Sequence, residues 1–138
     1  MDSKAIIHKT REDYNLVASH FSVTRYELWE WLKPFKKLVK DGQNILDWGC
    51  GNGRLISLFE DKKIKYFGLD QSDELLKCAK EKWDKEIKIG KVKFFSTASR
   101  AKNFSPNFFD LAFLIASFHH LPDETTRLDI LNKIYFEL

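Results

Sequence analysis

Two carboxylates, Asp47 and Asp70, each close an apolar run, Asn44-Ile45-Leu46-Asp47-Trp48 and Lys65-Tyr66-Phe67-Gly68-Leu69-Asp70, and three glycines stand between them at alternate positions in Gly49-Cys50-Gly51-Asn52-Gly53. Alternate glycines let the backbone take positive φ and let a ligand approach the main chain, while the helix start that follows offers its positive dipole end. Asp70 follows the glycines at about the interval at which nucleotide-binding βαβ units place the carboxylate that takes ribose hydroxyls. Dinucleotide sites use G-x-G-x-x-G so that helix amides can hold a pyrophosphate. Here the spacing is G-x-G-x-G, and Asp47 stands two residues before the first glycine, where it would repel a pyrophosphate and attract a cation.

Positioning these residues requires a strand on each side of a turn. Strand one is read at Asn44–Trp48, a helix follows Gly53, and strand two ends at Asp70. Ser72 can cap a helix carrying Leu75, Leu76 and Ala79, and Gly90 separates that helix from strand three at 92–95. Strand four is read at 109–117, apolar enough to suggest burial on both faces. A last helix begins near Pro122 and Asp123, with Leu128, Leu131, Ile134, Tyr135 and Leu138 on one side. Ahead of strand one, Tyr14, Val17, Ala18 and Phe21 recur at helical spacing, as do Leu28, Trp31, Leu32 and Phe35. These predict a two-helix cap over about residues 10–40, with Pro34 kinking or ending the second helix and residues 36–39 as its continuation. Alternating strands and helices imply an α/β fold, a Rossmann-like doubly wound parallel sheet with its ligand at the carboxyl edge. Trp29, Trp31, Trp48 and Trp83 are expected in the core, Trp48 shielding the ligand.

The chain has 138 residues, 43% of them hydrophobic and 31% charged, enough for one core and one domain over 1–138 and unlike a disordered composition. No apolar run reaches the about 18 residues of a membrane span, and the polar start does not resemble a secretion signal, so the expected location is cytoplasmic and no membrane partner is expected. Cys50 and Cys78 do not form a disulfide framework and have no partners at metal spacing; no metal is expected, and Cys50 is read as packed inside the glycine turn. A formal charge of +3 permits a nucleic-acid partner without requiring one. Lysines gather at 33–40 and again at 77–93, where they either meet phosphates or form a solvated surface.

The acid, the glycine triplet and the second acid together resemble the class I S-adenosylmethionine (SAM) methyltransferases. The resemblance implies that Asp47 faces the methionine end of the cofactor and that Asp70 binds its ribose. It also implies cofactor contacts from Tyr14, Gly49, Cys50, Gly51, Asn52, Gly53, Gln71, Ser72, Thr97, Ala98, Ser99, Ile115, Ala116 and Ser117. Complete domains of that class order their strands 3-2-1-4-5-7-6, so the chain reads as the cofactor half, truncated after the fourth strand and its helix, with strand four open to self-association. The segment Tyr14-Asn15-Leu16-Val17-Ala18-Ser19-His20-Phe21-Ser22-Val23-Thr24-Arg25-Tyr26-Glu27-Leu28-Trp29 is similar to the amino-terminal signature of the tRNA wobble-uridine carboxymethyl methyltransferases. Ile115-Ala116-Ser117-Phe118-His119-His120-Leu121 resembles their histidine pair, which small-molecule methyltransferases also carry. Glu30 replaces a usual proline, and Ser96-Thr97-Ala98-Ser99 replaces an acid that the family places near the adenine.

Membership would imply tRNA as substrate, SAM as cofactor, a small activating subunit as partner and methyl transfer to a carboxylate. A carboxylate with a pKa near 4 is ionised at neutral pH, so no general base is required, and positioning must do most of the work. Catalytic roles then fall to Arg25, Tyr26 and His120. Two readings of Arg25 stand: a planar fork on the substrate carboxylate, or an ion pair with Glu27 or Glu30. One of His119 and His120 is expected beside the methionine moiety and the other in a structural role. A SAM enzyme acting on a small molecule and a non-catalytic SAM-binding fragment are the alternative readings.

Overall fold

The computed structural model describes residues 2–24, 27–98 and 103–138, without the side chains of Ser22 and Thr24. Four parallel strands, β1 (Asn44–Trp48), β2 (Lys65–Asp70), β3 (Val92–Ser96) and β4 (Leu111–Phe113), form one sheet in the order β3-β2-β1-β4. β1 pairs with β2 through Asn44 opposite Lys65 and Trp48 opposite Leu69, and with β4 through Ile45 opposite Leu111. The sheet therefore reverses its winding at β1, which opens a crevice at the carboxyl ends of β1 and β4.

One layer of the core holds Leu32, Ile45, Leu55, Ile56, Phe59, Tyr66, Leu76, Trp83 and Val92. Leu46, Phe67, Leu69, Phe109 and Ile134 fill the opposite face. Alternate residues of β1 and β2 thus point to opposite layers and both are buried, as parallel strands require. Helix α1 (Ser3–Thr24) lies across the carboxyl edge, and a 3₁₀ helix (Glu30–Leu38) leads into β1. Between β2 and β3 run α2 (Asp73–Lys82) and α3 (Asp84–Lys88), and α4 (Glu124–Glu137) follows β4. Ser72 caps α2 by accepting from the Leu75 N–H, with Asp73 and Glu74 in the favourable first turn. Asp123 caps α4 through the Thr126 N–H at 2.7 Å. Among the described residues no helix is long and apolar enough to cross a membrane.

Several elements differ from the sequence expectation. Strand four pairs only over Leu111–Phe113 and is half-buried, because it is the edge strand with a single ladder partner, and Ala116 at φ 53° turns the chain out of the sheet. Phe109 is buried, but its N–H bonds the Glu137 carbonyl of α4 and not a strand. The turn after Gly53 is a 3₁₀ helix (Arg54–Phe59). α1 starts well before residue 10; its buried stripe holds Ala18, while Val17 is exposed. The second helix of the cap is also 3₁₀ and runs through Pro34 to Leu38. On α4 only Ile134 and Glu137 are buried, so Leu128, Leu131, Tyr135 and Leu138 face outward. Of the four tryptophans Trp83 is in the core, Trp29 and Trp48 are half-buried, and Trp31 is exposed.

Gly68 in β2 marks the closest approach in the core. A Cβ there would lie 2.7 Å from Phe94 Cδ1 and 2.8 Å from Cys50 Sγ. Gly68→Ala is expected to destabilise the fold by about 1–3 kcal/mol through overpacking. Adding Cys50→Ala should recover part of the loss; urea unfolding midpoints of the single and double variants check both.

Candidate cofactor site

At the carboxyl edge lies a cavity of about 500 Å³, a size common for cofactor sites. All four strand ends contribute to it. Asp47, Gly49, Cys50, Gly51 and Asn52 come from the end of β1, Asp70 and Gln71 from β2, Thr97 and Ala98 from β3, and Ile115, Ala116 and Ser117 from the segment after β4. Tyr14 and His120 also line it.

The turn after β1 is folded onto the end of β2. The Leu69 carbonyl accepts from the N–H groups of Gly49 (2.7 Å) and Cys50 (3.0 Å). Asp70 accepts from the Gly51 N–H through Oδ2 and from the Ser72 N–H through Oδ1, both at 2.8 Å. Gly49, Gly51 and Gly53 have φ of 78°, 55° and 75°, values that disfavour any side chain. Gly49 is further constrained: a Cβ there would lie 2.3 Å from Ser117 Cβ, where the Ser117 hydroxyl donates to the Trp48 carbonyl at 2.9 Å. The cradle is thus built from main chain, with an acid at each side.

The two acids differ in their surroundings. Asp47 is 3% exposed and accepts a short hydrogen bond from the Tyr66 hydroxyl. Burial pushes its pKa up to about 7, with the Asp70 charge adding to the rise, against the pull of the Tyr66 bond and of Arg54. Asp70 is also raised by burial, opposed by its backbone hydrogen bonds. Burial pushes the Cys50 thiol up as well, which keeps it a neutral packing group. Each Asp70 oxygen retains a lone pair for a hydroxyl donor after its backbone bond. A nucleoside with a cationic tail, as in SAM, fits this set: a diol at Asp70, a cation toward Asp47, and glycine backbone close enough to touch it.

α1 covers the cavity and is pinned on both sides of it. Toward β2, Arg11 pairs with Asp73 at 2.7 Å, and the Ser72 hydroxyl donates to Asn15 Oδ1 at 2.6 Å. Toward β4, Tyr14 Oη and His120 Nε2 lie 2.6 Å apart, and Ser3 donates to Asp123. Burial, with neighbouring His119, lowers the His120 pKa and favours the neutral ring.

Three expected site residues, Arg25, Tyr26 and Ser99, lie outside the described residues. Gly53 and Ser72 are not in the cavity wall: Gly53 sits against Trp83 and Phe94, and Ser72 spends its hydroxyl on capping α2 and holding Asn15. The cavity also has walls that motif reading missed: Lys4, Ile7, His8 and Arg11 of α1, and Ile130, Lys133 and Glu137 of α4. The signal for α1 was present, since Ile7, Arg11, Tyr14, Ala18 and Phe21 are spaced by three and four.

Residues 45–135 match the family model for a methyltransferase domain. The chain belongs to that family. A tRNA (carboxymethyluridine(34)-5-O)-methyltransferase of Arabidopsis thaliana is 29% identical over 131 residues, covering 95% of this chain and 29% of its own length. The enzyme of that name from Saccharomyces cerevisiae is 40% identical over 74 residues, 54% of this chain and 25% of its own. The chain thus spans less than a third of the length of these curated relatives. Among solved structures, a SAM-dependent methyltransferase from Thiobacillus denitrificans in complex with S-adenosylhomocysteine shares the fold, with a TM-score of 0.64, 20% identity and coverage of 87% of this chain and 49% of that one. A putative methyltransferase of Haloferax volcanii, bound to the activator Trm112, does so with a TM-score of 0.71, 23% identity and coverage of 90% and 54%.

The buried Asp47 has a consequence for stability. A folded pKa of about 7 against the ordinary 3.8 means that the folded chain holds a proton which the unfolded chain has lost between those values. The contribution of Asp47 is most favourable below about pH 4 and is lost as pH rises to about 7. Asp47→Asn should therefore stabilise the ligand-free chain by up to about 4 kcal/mol at pH 8 and by little near pH 4. Denaturant unfolding of both chains at the two pH values measures the difference.

Proposed function

We propose that this chain is the cofactor-binding part of an enzyme that methylates the carboxylate of a carboxymethyl-modified wobble uridine in tRNA. The observation that supports it most is the joining of the F-S-x-T-R-Y element to a helix that itself walls the SAM cavity, through Tyr14 and Phe21. The carboxymethyluridine methyltransferases of Arabidopsis thaliana and Saccharomyces cerevisiae, both similar to this chain, point the same way.

SAM, when bound, supplies an electrophilic methyl on a sulfonium. Asp70 would hold the ribose hydroxyls, and ionised Asp47 would neutralise the cationic end of the cofactor. The acceptor carboxylate needs no base, so what remains is to hold it in line with the methyl and exclude water. Arg25, in the signature, is assigned the carboxylate, because a guanidinium makes two parallel hydrogen bonds to it. Tyr26, next in the signature, is assigned to contact with the acceptor. His120, neutral and directed at Tyr14, is assigned to closing the site over the methionine end. The Haloferax complex suggests a small activating subunit as partner.

Asp70→Ala removes a charged acceptor of hydroxyls and should weaken SAM binding about 10- to 100-fold by calorimetry. Unchanged affinity would overturn the ribose assignment.

Arg25→Ala in the full-length protein should abolish methyl-ester formation on tRNA carrying carboxymethyluridine while SAM affinity stays near wild type. Arg25→Lys should rescue little, since an ammonium lacks the planar fork. The assay is transfer of labelled methyl from SAM to that tRNA, to unmodified tRNA and to small carboxylates. Activity only on small molecules would replace the tRNA reading by the small-molecule one, and SAM binding without any transfer would favour a non-catalytic role.

A further inference from the structure

Trp29 and Trp31 flank Glu30 where the chain passes from the amino-terminal signature into the 3₁₀ helix Glu30–Leu38. Trp29 packs inward against the core. Trp31 is 57% exposed. The two indoles are stacked, with ring centroids 5.5 Å apart and planes at 21°. Phe35 meets Trp31 edge-on at 6.4 Å. The Arg54 guanidinium carbon lies 3.6 Å from the Trp29 ring centroid, and Arg54 and Leu32 both line the cofactor cavity. A contiguous aromatic and cationic stack therefore connects the cavity wall with an indole at the surface.

Single exposed apolar side chains are common, as at Leu16 and Tyr135, and what sets Trp31 apart is how it is held. Trp31 does not pack poorly, because the stack and the edge contact fix its plane, so little freedom is left to lose on binding. The segment that follows it is rich in lysine. Lys33 is paired with Glu30 and Lys36 with Asp61, while Lys37 and Lys40 are exposed and have no carboxylate within ion-pair distance among the described residues. A fixed indole with cations around it suits a flat, electron-rich ring attached to phosphates. Anticodon loops offer such rings, since their bases are unpaired and can splay onto aromatic side chains.

Building on the tRNA reading above, we propose that Trp31 is a stacking platform for an unpaired base of the RNA, with Lys37 and Lys40 meeting its phosphates. Every base has a π face, so the platform holds the loop without reading its sequence, and sequence-tolerant stacking of this kind is the usual contribution of aromatics to single-stranded RNA binding. The stack's connection to Arg54 places the platform beside the cavity into which the acceptor must be delivered.

The test is binding of the 138-residue chain to an RNA stem–loop with an unpaired loop, and to a fully paired RNA duplex with the same number of phosphates. Trp31→Ala should lose about 5- to 150-fold in affinity for the stem–loop, the loss of one base–aromatic stack. Trp31→Leu, apolar but without a π face, should lose as much, and Trp31→Phe should keep most of the affinity. Duplex and SAM affinities should not change in any of the three. Wild-type affinity of Trp31→Ala or Trp31→Leu for the stem–loop, or equal loss on the duplex, would overturn the platform and leave the tRNA reading standing. A wild-type chain that binds neither RNA would overturn both.

Discussion

The carboxylate of Asp70 is the joint on which the cofactor end of this molecule depends. One oxygen takes the N–H of Gly51 and the other that of Ser72, so a single side chain ties the turn after β1 to the start of α2. Two further bonds from Gly49 and Cys50 to the Leu69 carbonyl fold the same turn over the end of β2. The Asp70 bonds are of the charge-assisted kind, stronger than neutral ones, and with the two bonds to Leu69 they hold Gly49 and Gly51 in conformations that would otherwise be populated only in part. The register of β1 on β2 follows from it: Asp47 stands opposite Gly68, where the absence of a side chain leaves room for Phe94 and Cys50. The floor of the cavity is therefore set by main-chain geometry.

Above that floor, α1 acts as a strap. Its polar ties fall on both sides of the switch point, at Asp73, Ser72 and Glu74 beyond β2 and at His120 and Asp123 beyond β4. None is covalent, and exposed pairs such as Arg11 with Asp73 contribute little individually. The Tyr14–His120 and Asn15–Ser72 contacts are more sheltered. A helix held this way can sit stably over a cavity and still part from it in steps, which a site that must admit a cofactor requires.

The sequence was most legible where function and local geometry coincide. β1, β2 and the glycine turn could be placed to the residue because strand, acid and positive-φ glycine are all written within one short segment. Ser72 could be recognised as a cap by its own position before Asp73 and Glu74, but not that its hydroxyl would be consumed by Asn15, a residue far away in the chain. Strand four stands at the open edge as expected, but its extent was overread for a related reason. Apolar residues at 109–117 suggested one long strand, whereas the ladder holds only Leu111–Phe113, and Phe108 and Phe109 cluster with Phe67 and Phe104 beneath the sheet. Apolarity reports burial, not the ladder that provides it. The role of α1 as a wall was legible only in part: the spacing of Ile7, Arg11, Tyr14, Ala18 and Phe21 marks an inward face, but Lys4 and His8 read as surface residues until the opposite wall is known.

Charge explains why the cavity suits one kind of ligand. Two acids share it: burial raises the cost of ionising both, the Asp70 charge adds to that cost at Asp47, and Asp73 adds to it at Asp70. Asp70 offsets part of that cost with backbone N–H groups. Asp47 has only the Tyr66 hydroxyl and the more distant Arg54, and it sits near the balance point between its neutral and charged forms at physiological pH. A cation entering beside Asp47 would tip that balance toward the carboxylate, whereas an anion would find either a neutral acid or a repulsive one. The same arithmetic runs in reverse for the ligand: the free energy that burial takes from Asp47 becomes preference for a positively charged guest, so the instability of this acid and the fit of the site to a cationic ligand have a common physical origin.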